Sequence, residues 1–352
     1  MGRAMRTTIK DIAAKAGVSK TTVSFAFNDP ARISRQTYEK IMKIADQIGY
    51  VPDPVARTLA KKTIGTMGLL LPQPVAEVFC NPYTGEFLKG IGEICEKENL
   101  TISLIPPVRG MISLAVRNAM VDIFVLFGVD LERKVVQLMS HRHLPFITVD
   151  GEVCSTVPNV GIDDRKAAFD LMDHILSLGH RRVEIIGLQN PACTLSDERG
   201  SPARASATLR RRLSGFRQAL QRYALEIGGK GVRAHSCACS EKAASLLARR
   251  VLSRQPKPTA VVCMSDVAAY GVYQAARSLE LRIPEDLSIA GFDDLDLSSL
   301  LSPPLTSVHQ PGSEKGRQAA RMAVDILKGR AVESKVLESR LIVRSSTAFA
   351  PR

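Results

Sequence analysis

The side chains most able to do chemistry are the basic ones at the start of the chain. Residues 1–63 hold twelve Lys or Arg against five Asp or Glu, so a net +7 of the chain's +13 lies in its first sixth. Such a surplus suits a phosphate backbone or an anionic membrane, and charge alone fits a solvated basic face equally well. Other chemistries are poorly served. His235-x-Cys237-x-Cys239 gathers metal-ligating types, but no second ligand pair follows at zinc-like spacing. These three therefore read as buried or incidental, and no metal is expected. His174 and His180 sit on or beside a helical pattern without a partner at useful spacing. No GxGxxG opens a helix after a strand, and GxxxxGK[ST], HExxH and GxSxG are absent. Catalysis and a cofactor are not expected.

The elements around the basic residues narrow the choice. In "TTIKDIAAKAGVSKTTVSFAFNDP", Ile9, Ile12, Ala13 and Ala16 keep helical spacing, Gly17 breaks it, and Ser19 caps a second run with Val23 and Phe27. Two helices joined by a tight glycine turn make a helix-turn-helix, too small to fold alone. A third follows: Ser34 caps "RQTYEKIMKIADQIGY", with Tyr38, Ile41, Ala45 and Ile48 on one stripe and Gly49 at its end. A helix fits the major groove and basic surroundings neutralise phosphate, so this unit reads as DNA-binding.

The rest of the chain has a different rhythm. "TIGTMGLLLP", "TISLIP", "VDIFVLFG", "PFITVD", "RRVEIIGL", "TAVVCMS", "LSIAGFDD" and "LTSVHQ" read as buried strands, with amphipathic helices such as "GEFLKGIGEICEKE" between most of them. This alternation predicts α/β architecture with parallel, doubly wound sheets. About 290 residues are too many for one such sheet, so two are expected, with a cleft between them. No window of ~18 apolar residues and no secretory leader pattern is present, which predicts a soluble, cytoplasmic protein with no membrane partner. Seven scattered cysteines fit reduced thiols.

The stretch "TIKDIAAKAGVSKTTVSFAFNDPARISRQTYEKIMKIADQIGYVPDPVARTLA" resembles, without a gap, the DNA-binding headpiece of the lactose-repressor (LacI/GalR) family of bacterial transcription regulators. The resemblance implies base-reading positions at Lys20, Thr21 and Phe25, and phosphate contacts at Thr8, Ser19, Ser24 and Asn28. Phe25 is a departure, since the family usually carries Arg there and Arg is the commonest reader of guanine. A phenyl ring either offers apolar contact, for instance to a thymine methyl, or turns into the core. The operator sequence cannot be carried over.

In the linker "VPDPVARTLAKKTIG", Asp53 is a candidate cap and Val55 to Ala60 make less than two helical turns. An isolated helix shorter than ~12 residues is marginal in water, so this one is expected to order only on DNA and against a second copy. The resemblance implies that Leu59 wedges into a minor-groove base step, that Ala56 lies at the helix–helix contact, and that Lys61 sits beside phosphate. A flexible tether with an incidental leucine is the bland reading.

The blocks "NPYTGEFLKGI", "SLGHRRVEIIG", "RRRLSGFRQAL", "SDVAAYGV", "RIPEDLSIAGFDD", "SPPLTSVHQP" and "RLIVRSST" resemble the family's effector domain, whose fold is that of periplasmic sugar-binding proteins. The expected organisation is a headpiece at 1–51, a hinge at 52–63 and an effector and dimerisation domain at 64–352. The last divides into one subdomain at about 64–162 with 311–339 and another at about 163–310 with 340–352. Ligands of such sheets bind beyond the C-terminal strand ends. The resemblance puts Tyr83, Phe127, Asp150, Arg212, Asp266 and Gln310 there. Asp266 would accept hydrogen bonds from a ligand, cap the next helix, or both. The Arg212 fork suits a carboxylate, a phosphate or paired hydroxyls, and its bland reading is a solvated charge.

Together these features predict a DNA-binding transcription regulator, a repressor, controlled by a small molecule in the cleft. A sugar or sugar acid is favoured, and a nucleobase or nucleoside is the other reading. A transport-type binding protein would carry a leader and no headpiece. Two-fold symmetric double-stranded operators need two headpieces, so a homodimer on a near-palindrome is expected. No leucine heptad follows "RSST" to support a coiled-coil tetramer.

Overall fold

The computed structural model describes residues 7–52, 63–129, 133–152, 156–188 and 206–351, in two units that divide between Ile64 and Gly65. In the first unit, helices α1 (Ile9–Ala16), α2 (Lys20–Asn28) and α3 (Arg35–Gln47) enclose Ile12, Ala13, Ala16, Val23, Ala26, Ile41 and Ala45. Each helix starts at a hydroxyl residue. The Thr8 backbone N–H and hydroxyl both donate to Asp11 Oδ2 at 2.8 Å. Ser19 Oγ and Ser34 Oγ accept from the backbone N–H groups of Thr22 and Thr37 at 3.0 and 3.2 Å. Gly17 ends α1 in the left-handed region, at φ +67°, and turns the chain into α2.

The second unit is built on two six-stranded sheets. Strands β1 (Thr66–Leu70), β2 (Thr101–Ile105), β3 (Ile123–Phe127), β4 (Phe146–Val149), β5 (Asn159–Ile162) and β11 (Lys335–Leu337) form one, in the order β11-β5-β4-β3-β1-β2 and parallel throughout. Strands β6 (Val183–Leu188), β7 (Val232–Cys237), β8 (Ala260–Cys263), β9 (Ser288–Asp293), β10 (Thr306–His309) and β12 (Arg340–Ile342) form the other, in the order β12-β10-β9-β8-β6-β7. Its strands are parallel except β12, which runs antiparallel to β10. The chain passes between the sheets after β5, after β10 and after β11.

Helices link the strands: α4 (Val75–Val78), α5 (Tyr83–Lys97), α6 (Ile112–Asn118), α7 (Arg133–His141), α8 (Asp164–Ser177), α9 (Ala207–Arg222), α10 (Glu241–Leu252), α11 (Asp266–Ser278), α12 (Asp296–Leu300) and α13 (Gly312–Leu327). Apolar strands such as β3, IFVLF, are covered on both faces, as continuous apolar runs require. Helices α5 and α13 cross closely enough that a Cβ on Gly90 would collide with the Ser313 carbonyl, and one on Gly316 with the Phe87 carbonyl. This contact fixes the first turn of α13, which carries Lys315. No described helix is long and apolar enough to cross a membrane.

Candidate functional site

Six polar side chains meet where the C-terminal ends of the strands face one another. Asp150 follows β4, Asp293 ends β9, and Gln310 follows β10; Asp164 and Arg212 lie on α8 and α9, and Lys315 on α13. The Arg212 Nε donates to Asp164 Oδ1 at 2.9 Å and Nη1 to the Met264 carbonyl at 2.7 Å, while the guanidinium lies 3.5 Å from the Phe292 ring centroid. Arg211 donates to Asp164 Oδ2 at 2.9 Å. Burial would raise the Asp164 pKa, but Arg212, Lys315 and Arg211 together hold it below the usual carboxylate value. Arg212 is therefore buried and paired, not a solvated charge.

Lys315 is wholly buried, and its Nζ donates to Asp150 Oδ1 at 2.6 Å and Gln310 Oε1 at 2.7 Å. The Gln310 amide in turn donates to Asp293 Oδ1. Asp293 Oδ2 makes no well-formed hydrogen bond, and neither does the buried Tyr83 hydroxyl. Tyr83 stacks on Phe127 at 6.3 Å between centroids, and Phe127 on Phe87 at 4.4 Å. Burial pushes the Asp293 pKa up to about 8, reinforced by Asp266; Arg212, Gln310 and Asn81 offset only part of this. Burial likewise raises the Tyr83 phenol. The structure thus brings Tyr83, Phe127, Asp150, Arg212 and Gln310 to one place.

Asp266 is placed differently from the sequence expectation. The cap of α11 is Ser265, whose Oγ accepts from the Ala268 backbone N–H at 3.2 Å. The Asp266 carboxylate is fully buried: Oδ1 accepts from Ser307 Oγ at 2.6 Å, and Oδ2 accepts from Ser298 Oγ at 2.6 Å and the Leu295 backbone at 2.9 Å. Both oxygens are taken by the chain itself, and a Cβ on Gly291 would collide with Oδ1. Asp293 and Lys315 join the cluster without standing among the residues that the sequence predicts. The signal for Asp293 was present, an acidic pair directly after the apolar strand "LSIAGF". Lys315 gave none, since a lysine in an amphipathic helix reads as solvated.

In the first unit, Lys20, Thr21 and Asn28 are exposed on α2, with Ser19 just before it; Thr8 is exposed at the start of α1. Asn28 Nδ2 donates to the Ser24 carbonyl at 3.0 Å. Phe25 is half-buried and lies outside the three-helix core. The Arg32 guanidinium covers its ring, 5.2 Å from the centroid. Ala56, Leu59 and Lys61 lie outside the described residues. The His235-x-Cys237-x-Cys239 triplet is drawn apart in role: His235 Nε2 meets Glu184 Oε2 at 2.7 Å, and burial pushes the Cys237 and Cys239 thiols up to about 11 and about 12.

A helix-turn-helix unit followed by a two-sheet receptor-like unit defines a DNA-binding regulator coupled to a small-molecule binding domain. Residues 8–53 match the model of the bacterial regulatory proteins of the lacI family, and residues 172–347 that of the periplasmic binding protein-like domain. The chain is 30% identical to the HTH-type transcriptional repressor CytR of Escherichia coli K12, over 98% of this chain and 97% of that protein. It is 28% identical to the HTH-type transcriptional repressor PurR of Vibrio vulnificus, over 96% and 98% of the two chains. Among solved structures, the regulator CelR in complex with cellobiose superposes with a TM-score of 0.66 at 25% identity, covering 97% of this chain and 100% of that one. The lac repressor dimer on its operator gives 0.77 at 22% identity, covering 97% and 99%. The chain belongs to the lacI family of bacterial regulatory proteins. It is a DNA-binding transcription regulator and not an enzyme, and regulators of this family bind DNA operators and small-molecule effectors.

Proposed function

We propose that the chain is a homodimeric repressor whose hold on a near-palindromic operator is set by a sugar or sugar acid bound in the cleft. One observation carries the effector reading: the Tyr83 hydroxyl and Asp293 Oδ2 are buried polar atoms without well-formed hydrogen bonds, in the polar cluster at the strand ends. A buried polar atom without a partner costs free energy that a ligand's hydroxyl or N–H can recover. Arg212 has donors left beyond its two bonds, and it suits a carboxylate or paired hydroxyls. The likeness to the cellobiose-bound CelR supports a sugar. The ligand-binding set is then Tyr83, Phe127, Asp150, Arg212, Asp293, Gln310 and Lys315, with Asp266 holding the α12 and β10 ends in place. The stacked Tyr83 and Phe127 rings favour the second reading, a nucleobase or nucleoside.

The headpiece residues Thr8, Ser19, Lys20, Thr21, Ser24 and Asn28 supply the DNA surface, and Ala56, Leu59 and Lys61 the hinge. Dimerisation is supported by the exposed leucines Leu297 and Leu300 on α12, beside a groove of about 730 Å³ lined by Tyr270, Tyr273, Leu281 and Ile283. Effector binding shifts the hinge segments across the dimer, a coupling typically worth ~1–3 kcal/mol.

The test is operator affinity of the purified protein, titrated with panels of sugars, sugar acids and nucleosides. A shift of about 5- to 150-fold with one sugar or sugar acid is expected. A response to nucleosides alone would establish the second reading, and no response to any class would remove the effector claim.

A further inference from the structure

Phe25 and Arg32 form a unit on the surface of the first domain. Phe25 lies one turn beyond the exposed Thr21 on α2, and the core beneath is made by Val23 and Ala26. Arg32 comes from the turn Pro30–Arg32 that follows α2. Its guanidinium lies over the Phe25 ring at 5.2 Å, and its Nε meets Asp29 Oδ2 at 2.8 Å. The ring face and the carboxylate hold a side chain that stays 65% exposed. With Nε engaged, no side-chain bond of either Nη group is made among the described residues, which leaves both for a partner outside the unit.

We propose that Arg32, seated on Phe25 and oriented by Asp29, reads a guanine in each operator half-site. A phenyl ring donates no hydrogen bond, whereas the guanidinium fork matches guanine O6 and N7 in the major groove. The second helix of a helix-turn-helix enters that groove, and Arg32 is packed on the flank of that helix through Phe25. Stacking on the ring narrows the rotamers of Arg32 before DNA arrives, which lowers the ordering cost of the contact. Phe25 thus acts as a positioning residue and Arg32 as the reader.

The experiment selects duplexes from a randomised pool with the full-length protein, then repeats the selection with Arg32→Ala, Arg32→Lys and Phe25→Leu. Both positions are at least partly exposed, and Phe25→Leu keeps an apolar side chain, so folding is expected to survive and is checked by the melting transition. The wild-type chain is expected to choose guanine at one position of each half-site. Arg32→Ala loses that preference by about 5- to 150-fold, the discrimination of one bidentate pair, while the other positions keep theirs. Arg32→Lys recovers little of it, because an ammonium lacks the fork, and Phe25→Leu weakens the same position and no other. A uniform loss of affinity with unchanged base preference would make Arg32 a phosphate contact and overturn the proposal, as would selection unaffected by Arg32→Ala. Loss with Arg32→Ala but none with Phe25→Leu would remove the positioning role of the ring.

Discussion

The Lys315 ammonium lies 2.6 Å from Asp150 Oδ1 and 2.7 Å from Gln310 Oε1, so one buried cation joins the end of β4 in one sheet to the end of β10 in the other. Gln310 extends the connection to Asp293, and Asp164 with Arg212 ties α8 to α9 beside it. The chain's own charges thus bridge the two sheets at the strand ends, and under the proposed function a ligand would have to exchange these bonds.

Breaking this connection at one end leaves a charge without its partner in a site with little water. Lys315→Met should destabilise the second domain by about 3–5 kcal/mol, the usual cost of removing one member of a buried pair. Adding Asp150→Asn removes the stranded carboxylate and should return part of that loss. Denaturant melts of both single variants and the double variant measure the coupling directly. Strictly additive effects would mean that the two side chains are neighbours without being energetically linked.

Asp293 makes stability depend on pH. Its carboxyl is pushed from 3.8 up to about 8 by burial, so the folded chain keeps a proton that the unfolded chain has released. The stabilisation is complete below about pH 4, is lost as pH rises toward about 8, and is gone above it. Asp293→Asn stays neutral throughout and should flatten this part of the curve. Unfolding free energies at pH 5, 6, 7 and 8 for both proteins make the comparison; an identical slope would show that Asp293 does not carry the proton.

Much of this arrangement was legible in the residues. Ile12, Val23 and Ile41 marked the core of the first domain by period alone, and continuous apolar runs marked β1, β3 and β9. Strands β5, β7, β11 and β12 left weaker traces. The "VRAHSC" of β7 lies at a sheet edge and mixes polar with apolar residues, while β11 and β12 are only three residues long. The candidate site was legible where a side chain stands at a strand end, as Asp150 and Gln310 do. It was not legible where the partner decides the role. Asp266 and Asp293 are both acids next to apolar strands, and only Ser298, Ser307 and the Leu295 backbone distinguish the carboxylate with both oxygens engaged from the one bonded by Gln310 at Oδ1.

That distinction separates two variants. Asp266→Ala strands the Ser307 hydroxyl and the Leu295 N–H and leaves Ser298 with only the Tyr270 hydroxyl, so it should lower stability by a few kcal/mol, at about 1–3 kcal/mol for each buried donor left unpaired. Asp293→Asn leaves the Gln310 contact geometrically feasible and should cost little stability at pH 7 while weakening the effector response. Thermal melts beside operator-release titrations read both quantities. A stable Asp266→Ala protein that has lost only its effector response would return Asp266 to the ligand-binding set.

Lys20 and Lys61 should separate base reading from phosphate neutralisation. Lys20 is exposed at the first position of α2, the helix proposed to enter the major groove, whereas Lys61 precedes Lys62 in the linker sequence. Lys20→Ala should change which operators are preferred at fixed salt. Lys61→Ala should weaken every sequence alike and flatten the plot of log affinity against log salt by about one unit, one counterion fewer being released. Measuring both variants on a selected operator and on a scrambled duplex across a salt series supplies the test. A Lys20→Ala protein that weakens both duplexes equally, with a flatter slope, would reassign that lysine to phosphate and leave base reading to Thr21 and its neighbours.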